Sequence, residues 1–119
     1  MLVSRREPIN ERQFKRHQLI YRLSVFDSNS QQLIGYAIDL SIGGALLITN
    51  IVIEIKVKMR IRMELPHTFS DAKPIEIFIE VVRVIQDINP DYFCIGIRFL
   101  DVSYEDQITI GNIIENYSF

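Results

Sequence analysis

Alternation of apolar and polar residues predicts that most of this chain is β-structure. In residues 58–65, Met59, Ile61, Met63 and Leu65 alternate with charged residues, as in a strand that buries one face. Five further strand-like runs lie at residues 19–26, 33–38, 45–49, 75–87 and 92–99. Turn-forming residues separate the runs and no helical pattern lies between them, so we expect an antiparallel sheet.

The end of the chain has a helical period instead. Ser103 and Asp106, three residues apart, are typical of a helix N-terminal cap. Four apolar residues then recur three and four positions apart, at Ile110, Ile113, Ile114 and Tyr117. This spacing places them on one face of a helix. Because closure leaves no unpaired strand edge, we expect an all-β-dominated fold, a six-stranded antiparallel β-barrel with a C-terminal α-helix.

The first residues of the chain differ from the rest in composition and charge. Residues 1–18 are polar and show no apolar period, which predicts a flexible basic N-terminal arm before a single barrel domain at residues 19–119. Six cationic side chains and two glutamates give residues 1–22 a net charge of +4, which leaves −6 for the remainder of a chain with a total of −2. Such an arm can reach a phosphate group while the acidic body repels long nucleic acids, although charge alone favours a plain solvated tail.

Several classes of protein are excluded by what the sequence lacks. No apolar run is long enough to cross a bilayer, no secretion signal is present, and the single cysteine, Cys94, has no partner for an internal disulfide. Cys94 lies in an apolar run, which predicts a buried, unreactive thiol. We therefore expect a cytoplasmic protein that does not insert into membranes.

No catalytic or metal-binding pattern is present either. Ser41 lacks the glycine-flanked elbow of serine hydrolases, and no phosphate-binding loop of the Gly-x-x-x-x-Gly-Lys type occurs. His17 and His67 are far apart, and no cysteine–histidine spacing suits zinc. We expect neither an enzyme nor a bound cofactor.

The arm and the second turn of the sheet contain the candidate ligand-binding residues. Arg12 and Arg16 are four residues apart, which places both on one side of the backbone. A guanidinium group can bind a phosphate with two hydrogen bonds, read the edge of guanine or stack on its face. Two arginines at this spacing are common in proteins, so on their own they are a weak signal.

The turn at residues 39–44 offers complementary chemistry. The Asp39 carboxylate can accept hydrogen bonds from a base edge, and the Ser41 hydroxyl can donate or accept. Gly43 and Gly44 permit positive φ angles and close approach of a ligand to the backbone. The alternative is an ordinary turn in which the aspartate and serine bond their own backbone.

Together the two patterns are far more specific. Arg-x-x-x-Arg followed by Asp-x-Ser-x-x-Gly resembles the PilZ domain family, bacterial receptors for cyclic di-GMP, and residues 96–99 with 101–103 are similar to the last strand and helix start of that family. The resemblance implies a six-stranded barrel in which Arg12 and Arg16 engage phosphates and guanine faces. It implies that Asp39 and Ser41 contact guanine edges, with Gly44 closing the motif and Gly43 beside it. Glu11 replaces an arginine found in many members, which leaves open whether one or two ligand molecules bind.

The function implied is a cyclic di-GMP receptor or adaptor that changes its arm conformation and signals to an unidentified partner protein. One alternative is a PilZ-like protein-interaction module that does not bind nucleotide. The other is a small barrel for single-stranded nucleic acid, which the acidic body of the chain disfavours.

Overall fold

The structure is a computed structural model that describes residues 15–66 and 73–119. It contains six strands, β1 (His17–Asp27), β2 (Leu33–Leu40), β3 (Gly44–Thr49), β4 (Lys58–Glu64), β5 (Ile75–Gln86) and β6 (Phe93–Leu100), followed by helix α1 (Tyr104–Tyr117). Each predicted strand is present, with ends shifted by a few residues. Most of the predicted arm, including Glu11, Arg12 and Phe14, lies outside the described residues, and strand β1 begins two residues inside the segment assigned to the arm.

The strands form a closed barrel in the order β1-β2-β3-β6-β5-β4, and β4 pairs with β1 to complete the ring. All six pairings are antiparallel. The predicted six-stranded antiparallel barrel with a C-terminal helix is therefore confirmed. Among the described residues, no helix is long and apolar enough to cross a membrane.

The barrel interior is filled by the inward-facing residues of the alternating strands. Strand β4 buries Ile61 and Met63, and its neighbour β5 buries Ile75, Ile77 and Ile79 at the same level. Burial of each such aliphatic side chain contributes about 1.5–3 kcal/mol, so this interior provides most of the driving force for folding.

Helix α1 adds to the same core. Its N-terminus is capped by Ser103, whose hydroxyl accepts a hydrogen bond from the Asp106 backbone N–H at 3.0 Å, as the sequence predicts. Ile110 and Ile113 are buried in the barrel core cluster, and the helix packs mainly against β1. Beyond the helix, the Phe119 N–H donates to the Gln18 carbonyl of β1 at 3.0 Å.

Two β-bulges change which residues face outward. In β2 the pairing with β3 shifts between Ala37 and Asp39, and in β5 the pairing with β6 shifts between Val81 and Arg83. Ala37 and Val81 are both buried, so strict alternation would also direct the residue two positions later into the core. The extra residue in each bulge reverses this alternation and brings Asp39 and Arg83 to the outer face.

Candidate ligand-binding site

The turn after β2 is stabilised by Ser41. Its hydroxyl donates to the Gly44 carbonyl at 3.2 Å and accepts from the N–H groups of Gly43 at 3.3 Å and Gly44 at 3.1 Å. The side chain is buried, and its hydrogen-bonding capacity is used within the turn. For Ser41 the structure therefore shows the alternative considered from the sequence, a serine that bonds its own backbone.

The two glycines of the turn hold it against strand β6. A Cβ atom on Gly44 would lie 2.2 Å from the Ile97 carbonyl oxygen, so only glycine allows β3 to approach β6 here. The Gly43 carbonyl accepts a hydrogen bond from the Phe99 N–H at 2.9 Å. No glycine among the described residues has a positive φ angle, which differs from the conformation expected from the sequence. At Gly44 the reason for glycine is strand packing rather than a left-handed turn.

Asp39 faces outward beside this turn. It is half-buried, and in register it lies between Gln18 of β1 and Leu46 of β3. Within the part of the chain that the structure describes, no donor pairs with its carboxylate. An unpaired carboxylate at a partly desolvated position is available to accept hydrogen bonds from a ligand.

Arg16 reaches the same outer surface from the residue before β1. Its Nη2 atom lies 3.9 Å from the position that a Cβ on Gly96 would take. Gly96 pairs with Leu46, which pairs with Asp39, so the three residues form one row across β6, β3 and β2. The row spans two strand spacings, about 10 Å. The structure thus brings Arg16 and Asp39 onto one surface. We call the surface formed by Asp39, Leu46 and Gly96, with Arg16 over it, the outer row.

The thiol of Cys94 lies on β6, two residues before Gly96. It is half-buried rather than buried, and its Sγ atom is 3.6 Å from Asp87 Oδ1. Burial, the Asp87 hydrogen bond and the charges of Asp87 and Asp39 all raise the pKa of the Cys94 thiol. A protonated thiol is a poor nucleophile, which agrees with the unreactive cysteine expected from the sequence.

A cavity of about 520 Å³ lies next to the outer row, further along strands β2 and β3. Tyr36 and Ile48, the next outward-facing pair after Asp39 and Leu46, form part of its wall, and Arg22 and Tyr92 lie at its sides. Cavities of this size hold small molecules. In residues 15–66 and 73–119, no group of histidine, cysteine and acidic side chains is arranged to hold a metal ion.

The sequence did not predict that Gly96 belongs to the outer row or that Arg83 lies beside it. Both were assigned to strands, but the side that each faces depends on the bulge in β5. The signal was the pair of adjacent apolar residues, Val81 and Val82, which interrupts the alternation of that strand.

The fold and the outer row define a small barrel domain with a candidate binding surface on its outer wall. The sequence matches the PilZ domain family over residues 10–116, and the chain belongs to that family. No curated protein matches the sequence.

Solved structures of PilZ-domain proteins share the fold. The Bacillus subtilis inhibitor of motility MotI/DgrA is 14% identical with a TM-score of 0.69, over 85% of this chain and 48% of that one. The PilZ domain of YcgR from Escherichia coli, solved with c-di-GMP, is 13% identical with a TM-score of 0.63, over 87% and 88%. K. pneumonia MrkH in its apo state is 19% identical with a TM-score of 0.64, over 87% and 47%. The chain spans about half the length of the MotI and MrkH chains.

Proposed function

We propose that this domain binds cyclic di-GMP on its outer row and acts as a receptor or adaptor rather than an enzyme. The observation that supports this most is the position of the Arg16 guanidinium above Gly96, on the same row as Asp39, whose carboxylate has no partner among the described residues. PilZ membership and the ligand of the YcgR domain supply the identity of the ligand.

The chemistry of the row suits a cyclic dinucleotide. A guanidinium can bind the phosphate with two hydrogen bonds and stack on a base, and a carboxylate can accept from the ring N–H and amine of guanine. Leu46 lies between Asp39 and Gly96 in the register and offers an apolar contact for a base. In this proposal Arg12 acts beside Arg16, while Ser41, Gly43 and Gly44 hold the turn that places Asp39.

Isothermal titration calorimetry with cyclic di-GMP tests the proposal. We expect saturable binding by the wild-type chain and clearly weaker binding by Asp39→Asn, because the amide cannot replace a charged acceptor. Asp91→Asn, a change in the β5–β6 turn outside the outer row, is the control and should bind as wild type. If the wild-type chain shows no heat of binding at high ligand concentration, the proposal fails.

The signalling part of the proposal concerns residues 1–18. Closure of a chain segment over a ligand costs conformational entropy and creates a new surface, which a partner protein can recognise. Hydrogen exchange of residues 5–18 with and without cyclic di-GMP tests this step. We expect slower exchange with ligand, and unchanged exchange in a sample shown to be saturated would contradict arm closure.

One observation favours the alternative, a protein-interaction module that does not bind nucleotide. Ser41 is buried and its hydroxyl is used within the turn, so it is not free for a base edge without rearrangement. The calorimetric experiment separates the two candidates, because only the receptor gives a saturable heat.

A further inference from the structure

The cavity beside the outer row takes no part in the proposed cyclic di-GMP site. Its volume of about 520 Å³ lies within the range of pockets that bind small molecules. Tyr36 of β2 and Ile48 of β3, which pair in register, form part of its wall, and Leu33 extends that wall along β2. Neither Arg16 nor Asp39 is among the residues that line it. The cavity is therefore a candidate site in its own right.

Different elements of the barrel form the two sides of the cavity. In the strand order, β2 and β3 lie between β1 and β6. Arg22 of β1 is consequently at one side, and Tyr92, directly before β6, is at the other. Tyr36 and Tyr92 are 38% and 39% exposed, so both rings are accessible from solvent. An aromatic ring bound in the cavity can contact both tyrosines and the aliphatic side chain of Ile48.

The charged residues that line the cavity are Arg22 and Asp87, and they differ in whether they have partners. The Asp87 carboxylate accepts hydrogen bonds from its own hairpin, from the Cys94 thiol at 3.6 Å and the Asn89 N–H at 3.4 Å. Arg22 is exposed and has no ion pair, hydrogen bond or ring contact with any residue in 15–66 and 73–119. Its guanidinium group is therefore available to bind an acid group at this side of the cavity.

We propose that the cavity is a second binding site, separate from the outer row, for a small aromatic acid. The ring lies against Tyr36 and Ile48 beside Tyr92, and the acid group binds the forked N–H groups of Arg22. The Asp87 carboxylate repels a second acid group at the other side, so the ligand carries its negative charge at one end. This inference goes beyond the proposed function and does not depend on cyclic di-GMP binding.

A pair of probes with the same shape and different charge tests the site. Naphthoate carries an acid group on fused aromatic rings, and naphthamide carries a neutral amide in the same place. We expect titration of the wild-type chain, followed by two-dimensional amide NMR, to give saturable shifts at Tyr36, Ile48 and Tyr92. Naphthoate should bind about 5- to 10-fold more tightly, because the neutral amide cannot form the charge-assisted hydrogen bonds to Arg22.

Variants of the two sides separate the contribution of charge from that of the ring contact. Arg22→Gln should weaken naphthoate binding to the level of naphthamide and leave naphthamide binding unchanged. Arg60→Gln, which changes an exposed arginine of β4 outside the cavity, is the matched control and should bind both probes as wild type does. Tyr92→Ala should weaken both probes by a similar factor, since the ring contact does not depend on the charge.

Two results with the wild-type chain would overturn the proposal. One is the absence of saturable shifts at the cavity. The other is equal affinity for naphthoate and naphthamide, which would make Arg22 a solvated surface charge. If Tyr92→Ala does not fold, the comparison of Arg22→Gln with Arg60→Gln still decides.

A competition experiment distinguishes this site from the outer row. Asp39→Asn and saturating cyclic di-GMP should both leave the naphthoate affinity unchanged. Displacement of naphthoate by cyclic di-GMP would show that the cavity belongs to the outer-row site, and would overturn the inference of a separate one. A chain that binds naphthoate in the cavity but does not bind cyclic di-GMP would contradict the proposed function alone.

Discussion

Arginines on two parts of the barrel wall differ in whether a carboxylate pairs with them. On β4 and the adjoining parts of β5 and β6, Arg60 pairs with Glu76, Arg62 with Glu64 and Arg98 with Glu80. Arg60 and Arg62 also lie over the rings of Phe78 and Phe26, at 5.6 and 4.6 Å. Around the outer row, by contrast, Arg16 and Arg83 have no ion pair with any residue in 15–66 and 73–119.

Under the proposed function, the difference separates arginines whose charge is paired within the described part of the barrel from arginines that can meet a ligand. A neutralised surface pair contributes little to stability and offers little to an incoming anion. Arginines without counter-charges maintain a positive potential that attracts a phosphate. The comparison therefore predicts that changes around the outer row alter binding, whereas changes on the paired part alter stability.

The largest expected effect is on binding. Arg16→Ala, and likewise Arg12→Ala, should lower cyclic di-GMP affinity by about 1–3 kcal/mol, because a bidentate guanidinium contact is lost. Thermal unfolding should be unchanged, since Arg16 is exposed. Calorimetric titration of both variants beside Arg98→Ala checks this. Equal affinities in all three would abolish the distinction between the two parts of the wall.

Gly44→Ala should act on the fold. Its Cβ would collide with the Ile97 carbonyl oxygen at 2.2 Å, and relief requires β3 to move away from β6. Overpacking of this kind typically costs about 1–3 kcal/mol of unfolding free energy. Urea denaturation measures the loss, with Gly111→Ala as the control. A variant as stable as wild type would show that this strand contact is not a constraint.

Arg62→Ala should produce a smaller loss of stability. The half-buried side chain pairs with Glu64, donates to Gln31 and covers Phe26. Loss of the ion pair and the cation–π contact should reduce the unfolding free energy by about 1–2 kcal/mol. Cyclic di-GMP affinity should stay at the wild-type value, and a parallel fall in affinity would contradict the comparison.

The smallest effect concerns acid stability. The hydrogen bond from Arg98 lowers the pKa of the Glu80 carboxyl below its usual 4.5. A lowered folded-state pKa gives stability that is present above the unfolded-state value and is lost as pH falls through the folded-state value. Glu80→Gln should therefore flatten the decline in stability below about pH 4.5 slightly. Urea midpoints measured across the acid range check this. If the midpoint of the variant falls with pH as steeply as that of wild type, the Arg98–Glu80 pair does not contribute to acid unfolding.

Much of the fold was predictable because it depends on local periodicity. The alternation in residues 58–65 predicted the buried face of β4, and the spacing of Ile110 and Ile113 predicted the buried face of α1. Closure of the barrel followed from the general cost of open strand edges.

The candidate site was less predictable because it depends on departures from periodicity. The sequence pointed to Asp39 as a ligand-binding residue, but only the bulge in β2 explains why its carboxylate faces outward. Burial of the Ser41 hydroxyl and the contact of Gly44 with Ile97 arise from the way the turn packs on β6, a neighbour distant in sequence. The role assigned to Arg12 stays a prediction.

The hydrogen bond between Phe119 and Gln18 has a mechanical consequence. Gln18 lies two residues after Arg16 and pairs in register with Asp39, while Leu19 beside it bridges to Ser118 at the end of α1. A movement of Arg16 toward a ligand would therefore occur two residues from the backbone contacts that join the end of α1 to β1. Under the proposed function, this arrangement places the last turn of the helix, with Phe119 largely exposed beyond it, beside the residues that would respond to a ligand on the outer row.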